Sequence, residues 1–332
     1  MAKSRGIVIL YEDLTERWVE WAKEARLTNI GIHKIAVSGA GTVTGMDSLI
    51  GELNRTGGRK IIDRLSDIGI ETEYELHSLS WLLPRNLIEK DKNMFRMNDE
   101  GVRVNDKGFC PSSASAREII AENSYRLAGI LKQSSHNYFL WPDDANDCGC
   151  RCEKCCEKRL NGADTGMIFS NAVAEGLKAY DSRACEAYIA YADAKIMPRI
   201  KPNDNVFLEF APMDREHNKP MNAQADERGV EYIRLLEALL RIFPTETTHI
   251  LEYWFDNALY SQFKKPPVKI PFNASVMNED AKMYTSYGIQ NIKSFGSYID
   301  DEYYALYGNP PILEYGDILA KYINIQEDDY VL

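Results

Sequence analysis

After the apolar run Tyr138-Phe-Leu-Trp141, Asp143 and Asp144 stand side by side, and Cys148, Cys150, Cys152, Cys155 and Cys156 follow in the same stretch. The carboxylates suit general acid–base work, and the thiols suit a metal. A Zn2+ ion held by thiolates at about 2.3 Å needs four donors in tetrahedral geometry, and a Cys-x-x-Cys turn supplies two of them. We expect the quartet Cys110, Cys150, Cys152 and Cys155, which would staple two loops together. Cys148 is the other source of a fourth thiol, and reduced thiols or a local disulfide are the plain alternative. A closed all-thiolate site leaves no coordination position open, so such a zinc would be structural. Cys185 is expected in the core.

Consecutive residues leaving a strand face opposite ways. One of Asp143 and Asp144 should therefore meet a substrate while the other braces it or caps the next helix. Asp144 is the expected proton donor and Asp143 its helper. Glycoside hydrolysis pairs such an acid with a second carboxylate, acting as nucleophile or as base toward water. Glu252 or Asp256 is expected in that second role.

These groups need a scaffold that gathers them. Apolar and β-branched runs predict strands at 6–12, 33–38, 70–77, 137–141, 185–192, 206–211, 249–255 and 292–298. Helical periodicity follows most of them, for instance Trp18, Trp21, Ala22 and Ala25, or Ile61, Ile62 and Leu65. A Gly-rich loop (Gly39, Gly41, Gly45) follows the second strand. Eight strands with helical or irregular crossovers predict a (β/α)8 TIM barrel, a single domain over 1–332. A long loop at about 78–115 follows strand three, and the Cys-rich loop occupies about 143–165. An open doubly wound sheet would need a glycine fingerprint after the first strand, and Tyr11-Glu-Asp-Leu-Thr has none.

Barrel enzymes work at the C-terminal ends of their strands, which turns the strand reading into a list. Strand one ends at Glu12, strand three at His77, strand four at Asp143 and Asp144, and strand five at Tyr191 and Asp193. Strand six carries Glu209, with Asp214 and Arg215 beyond it. Strand seven carries Glu252, Trp254 and Asp256, and strand eight ends at Tyr298 and Asp300. Carboxylates interleaved with aromatic rings suit a carbohydrate, whose C–H faces pack on rings and whose hydroxyls donate to carboxylates. Substrate binding is assigned to His77, Trp81, Arg85, Trp141, Tyr191, Glu209, Arg215, Trp254 and Tyr298. Each also has a plain reading: an acid at a strand end can be a helix cap, and Trp141 and Trp254 can be core.

The 332 residues, 45% hydrophobic and 27% charged, have the composition of a globular chain. A net charge of −11 and short basic clusters exclude nucleic acid as a partner. No apolar run approaches the roughly 20 residues of a membrane span, and the apolar segment at the N-terminus is too short for a signal peptide. Seven cysteines, five of them crowded, argue against a secreted disulfide framework and for a reducing cytoplasm. Oligomeric state is not legible.

The succession His77-x-Leu-x-Trp-Leu-Leu-Pro-Arg85, Met94-Phe-Arg-Met97, Gly108-Phe-Cys-Pro-Ser-Ser113, Trp141-Pro-Asp-Asp, Cys150-x-Cys-x-x-Cys155, Asn171, Ala190-Tyr-Ala, Glu209-Phe-Ala-Pro-x-x-Arg215 and Glu252-Tyr-x-x-Asp256 resembles a bacterial family, domain of unknown function 4838. That family is similar to the barrel domains of hexosaminidases and α-glucuronidases. The resemblance covers roughly residues 6–300 and implies a (β/α)8 barrel with glycoside hydrolase activity, without naming a sugar. Hexosaminidases carry Asp-Glu where this sequence has Asp143-Asp144, so their substrate-assisted mechanism does not transfer directly. No accessory β-domain is expected before the barrel.

The expected function is therefore a glycoside hydrolase on a plant, microbial or host glycan whose sugar the sequence does not fix. Uronic-acid and N-acetyl sugars are among the options, and Arg85, Arg103 and Arg215 are available to a substrate carboxylate. A non-catalytic carbohydrate-binding barrel is the alternative, and a zinc-dependent hydrolase of another bond is a third reading. No organic cofactor is expected.

Overall fold

A computed structural model of the chain describes residues 3–35, 45–133, 135–224 and 227–325. Its eight parallel strands are β1 (Ser4–Leu10), β2 (Asn29–His33), β3 (Glu71–His77), β4 (Asn137–Trp141), β5 (Cys185–Ala190), β6 (Val206–Phe210), β7 (His249–Glu252) and β8 (Asn291–Phe295). They close into a barrel in sequence order. Direct registers include Ile7 with Ile30, Ile7 with Ser294, and Leu76 with Leu140. The expected (β/α)8 barrel is the observed fold.

Helices α1 (Glu16–Glu24), α2 (Gly45–Leu53) and α3 (Lys60–Asp67) lie between β1 and β3, and α4 (Leu79–Leu82) and α5 (Ala114–Ile130) between β3 and β4. Next come α6 (Glu153–Glu157), α7 (Gly162–Tyr180), α8 (Glu227–Leu239), α9 (Asn257–Tyr260), α10 (Ala274–Ser286), α11 (Asp301–Tyr307) and α12 (Ile312–Tyr322). No helix among the described residues is long and apolar enough to cross a membrane.

The chain divides into two compact units. The first, Met1–Lys34 with Leu53–Glu73 and Glu209–Leu332, has an aromatic core. In it Trp18 and Trp21 meet edge to face with ring centres 5.4 Å apart, and Phe255 packs on Tyr315 at 5.1 Å. Its strands also bury charge: Lys293 Nζ lies 3.4 Å from Glu209 and 3.6 Å from Glu73, and Asn29 donates to Glu73 at 2.7 Å. A buried charge persists only when paired, and this trio meets that requirement between strands. The second unit, Ile35–Glu52 with Tyr74–Leu208, packs Phe139 against Phe207 at 5.4 Å and Phe109 against Phe169 at 6.3 Å.

The second strand differs from expectation. The structure places β2 at Asn29–His33, and all five residues are buried. Asn29 and Gly31 read locally as turn formers, but a strand buried on both faces accepts residues of low strand propensity where packing demands them. Residues 36–38 of the expected strand, and Gly39 and Gly41 of the loop after it, lie outside the described residues. Gly45 opens α2, a helix that periodicity did not reveal. The loop after β3 is not structureless: it holds α4, 3-10 turns at Arg85–Glu89 and Lys92–Met94, and a bridge between Met97 and Arg103.

Candidate active site

In the second unit, β3, β4 and β5 end together on a polar cluster. β4 stops where Pro142 interrupts the chain, a residue with no N–H to extend a ladder. His77 Nδ1 contacts the Pro142 carbonyl at 2.6 Å, and its ring sits edge-on to Trp141 at 5.2 Å and tilted to Tyr191 at 6.5 Å. The two aspartates then diverge. Asp143 turns into the protein, where the Arg85 guanidinium donates to it and the Gly108 amide donates at 2.7 Å. Arg85 also donates to the Gly108 carbonyl at 2.7 Å, so one peptide and one side chain clamp this carboxylate from two sides. Asp144 is exposed and accepts a hydrogen bond from the Tyr191 hydroxyl at 3.2 Å.

Tyr191 is followed by Ala192 with φ of 47°, a left-handed conformation for a residue with a Cβ. The chain turns there and brings Asp193 back toward the Cys loop, where it accepts from the amides of Asp147 and Cys148 at 3.0 and 2.8 Å. Helix α7, which precedes β5, begins in a capping box between Asn161 and Asp164, worth about 1 kcal/mol. A Cβ on Gly162 would lie 2.3 Å from the Asp193 carbonyl oxygen, so only glycine permits this approach. His77, Asp143 and Tyr191 border a mostly apolar cavity of about 60 Å³ walled by Phe109, Phe169 and Tyr188. Trp81 is half-buried and donates to Asp47 at 3.0 Å.

Beside this cluster the Sγ atoms of Cys110, Cys150, Cys152 and Cys155 lie within 4.8 Å of one another, all four residues buried. Cys110 is 3.7 Å from Cys152 and 3.9 Å from Cys155. As free thiols they share protons unequally. Hydrogen bonds from Cys150 and Cys155 hold Cys110 well below the ordinary thiol range, and Cys155 is raised by its hydrogen bonds with Cys110 and Cys150. Cys148 is a lone thiol donating to the Ala145 carbonyl at 3.4 Å, with burial pushing it up to about 12. Cys185 is half-buried at the start of β5 rather than fully in the core.

The first unit corrects several expectations. Glu252 and Arg215 have no exposed side-chain surface: Arg215 donates to Glu252 at 3.1 and 3.2 Å, and to Asp280 at 2.5 Å. The Tyr284 hydroxyl donates to Glu252 at 2.5 Å, and Trp254 donates to Asp280 at 2.9 Å. A carboxylate and a guanidinium that satisfy each other inside the protein are committed to its structure. Neither is offered to a substrate, and the same holds for Trp254. Trp141, 1% exposed, is likewise a wall. Asp256 caps α9 through the Ala258 amide at 3.2 Å and accepts from Ser297 Oγ, and burial raises its pKa. Glu209 is buried against Lys293. Buried acids have no surface for a sugar, so Glu252 and Asp256 do not supply an exposed second carboxylate. Tyr298, half-buried with φ of 58°, lies under Lys265 Nζ at 5.0 Å from the ring centre and donates its amide to Asp13 at 2.5 Å.

Asp13 was missed by sequence reading although it directly follows Glu12. Burial pushes its pKa up to about 7, against the lowering effect of the Tyr298 amide and of Lys265. Arg103, expected to face a substrate, donates to the Phe95 carbonyl at 2.6 Å and to Cys150 Sγ at 3.6 Å. Arg85 serves Asp143. All three arginines expected to meet a substrate carboxylate therefore have protein partners.

The family model described as Domain of unknown function (DUF4838) matches residues 12–308. The chain belongs to this family. No curated protein matches the chain. Among solved structures, this DUF4838 chain is similar to a glycoside hydrolase family 5 enzyme from Prevotella bryantii, determined with a xyloglucan tetradecasaccharide. That match has a TM-score of 0.53 at 11% identity, covering 96% of this chain and 87% of that one. An endo-β-mannanase/endo-β-glucanase from Prevotella bryantii matches at 0.52 and 11%, covering 98% of this chain and 50% of that one. A β-galactosidase from Marinomonas ef1 matches at 0.50 and 12%, covering 98% and 61%. At such identities the likeness is one of fold: the DUF4838 chain has the barrel of glycoside hydrolases, and it spans about half to two-thirds of the length of the last two.

Proposed function

We propose that this DUF4838 barrel is a glycoside hydrolase whose acid is Asp144. The observation that carries the reading is the division of labour at the end of β4. Asp143 is clamped by Arg85 and the Gly108 amide, while Asp144 is exposed beside the Tyr191 hydroxyl. Asp144 would give its proton to the departing glycosidic oxygen as water adds to the anomeric carbon, and the proton that the added water sheds would pass to solvent and reprotonate Asp144. Asp143 holds the turn that aims it. Within the second unit, half-buried Tyr191 and Trp81, rather than buried Trp141, have ring surface for a sugar face.

Asp144→Asn keeps shape and hydrogen bonding but removes the proton. Turnover of a cleaved oligosaccharide should fall by about 10²–10⁴-fold with binding retained. Undiminished turnover would remove Asp144 from the role. A second reading, a barrel that binds glycans without cleaving them, is favoured by one observation: Glu252 and Asp256 are both buried and partnered. Thermal-shift screening against neutral oligosaccharides, followed by a hydrolysis assay on each hit, separates the two. Hits without cleavage support the binding barrel.

A further inference from the structure

We propose that Cys110, Cys150, Cys152 and Cys155 hold one structural zinc ion, and that this ion sets the loop that clamps Asp143. The inference does not depend on the glycosidase reading. It rests first on spacing. A tetrahedron with metal–sulfur bonds of about 2.3 Å has sulfur–sulfur edges of about 3.8 Å, and Cys110 lies 3.7 and 3.9 Å from Cys152 and Cys155. A disulfide would need about 2.05 Å between sulfurs, so these contacts are not bonded pairs. Thiols packed merely as small apolar groups would have no reason to converge four at a time from two segments of chain.

The surroundings suit thiolates. Four thiolates on one divalent ion carry a net charge of −2, which burial penalises unless donors face it. The Met97 amide points at Cys150 Sγ at 3.3 Å, and the Arg103 guanidinium lies 3.6 Å from the same sulfur. The Cys155 thiol donates to Ser112 Oγ at 3.2 Å, and that hydroxyl can turn its own proton toward the sulfur once it is a thiolate. Exposures of 2–8% for the four cysteines, with Met97 and Leu160 packed on them, leave no position for a substrate. The ion is therefore structural. All-sulfur tetrahedral sites take zinc or iron; zinc is the commitment here.

The link to Asp143 is short. Cys110 stands two residues beyond Gly108, whose amide and carbonyl bond Asp143 and Arg85. Arg103 precedes it in the same loop, and the Cys110 amide donates to the Met94 carbonyl at 2.9 Å. On the other side, Cys150 and Cys152 close the segment that leaves Asp144. An ion joining them fixes both walls of the Asp143 clamp at once.

The reduced full-length chain, purified from zinc-supplemented culture, should contain one zinc per chain by elemental analysis. After chelation, adding Co2+ should give the intense thiolate-to-cobalt charge-transfer and d–d absorption of a four-sulfur site, saturating at one equivalent. Cys150→Ser and Cys152→Ser should lose the metal, and Cys156→Ser and Cys185→Ser should keep it. Substoichiometric metal, resident iron, a cobalt spectrum lacking thiolate bands, or full zinc in Cys150→Ser would each overturn the assignment. Because the cobalt titration uses the unaltered chain, a variant that fails to fold cannot decide the matter alone. Hydrogen exchange at the Gly108 amide should speed up on chelation; an unchanged rate would overturn the coupling to the clamp.

Discussion

Asp13 shows how much one carboxyl group can depend on where the fold puts it. Its folded pKa of about 7 lies above the ordinary 3.8 because burial penalises the charged form. Between those values the native state holds a proton that the unfolded chain has released. The sign follows: this contribution is fully present below about pH 4 and is lost as pH rises through about 7. The full difference is on the order of 4 kcal/mol, at about 1.4 kcal/mol per unit. Asp13→Asn keeps an oxygen for the Tyr298 amide and cannot ionise. Denaturant titrations from pH 4 to 8 should therefore show the variant gaining on the natural chain as pH rises. Parallel curves would mean that Asp13 ionises freely. Asp280, raised to about 6 by burial against the pull of Arg215, adds a slope of the same sign. His217, lowered to about 4 by burial and the Arg215 charge, adds the opposite one, with stability lost as pH falls through that value. Only the difference between variant and natural chain isolates Asp13.

Among elements, the pairing of α5 with α7 supports the ends of β4 and β5. A Cβ on Gly176 would lie 2.0 Å from the Ala121 carbonyl oxygen, and backbone on both sides leaves nothing flexible to yield. Gly176→Ala should therefore destabilise the chain by about 1–3 kcal/mol through overpacking, against the modest gain alanine gives an unconstrained helix. Chemical denaturation measures it, and an unchanged midpoint would show that the helices separate at no cost. The strands of the first unit show another kind of support. Lys293, Glu73 and Glu209 bury charge between strands, and Arg215 ties Glu252 to Asp280 on α10. Of these acids, Glu209 and Glu252 were legible in the sequence as acids on strands six and seven, whereas Glu73 and Asp280 on α10 were not. The burial of all four was not legible, because their partners come from distant segments.

For the molecule as a whole, charge decides which glycans are plausible ligands. The chain carries −11, and Arg85, Arg103 and Arg215 all have protein partners. With these three arginines committed to protein partners, a uronic-acid substrate would meet the net negative charge without their help. Neutral oligosaccharides should therefore bind better than their uronate counterparts, with affinity nearly unchanged between about 0.05 and 0.5 M salt, since no long-range attraction exists to be screened. Calorimetric titration at both salt concentrations checks this, and tighter binding of a uronate at low salt would contradict it.

Local pattern alone determined the strand count, the barrel, and the placing of Asp143, Asp144 and the cysteines on one loop after β4. Strand runs, helical spacing and loop motifs are properties of neighbouring residues, and barrel topology follows from their order. Spacing named Cys150, Cys152 and Cys155 of the candidate quartet, and Cys110, remote from them in sequence, was preferred to Cys148 because it would staple two loops together. Tertiary structure decided which groups face solvent. It turned Asp143 inward to Arg85 and Gly108 and left Asp144 out beside Tyr191. It also withdrew Glu252, Arg215 and Trp254 into a buried network. Exposure is set by the packing of chain segments far apart in sequence, and no local spacing encodes it.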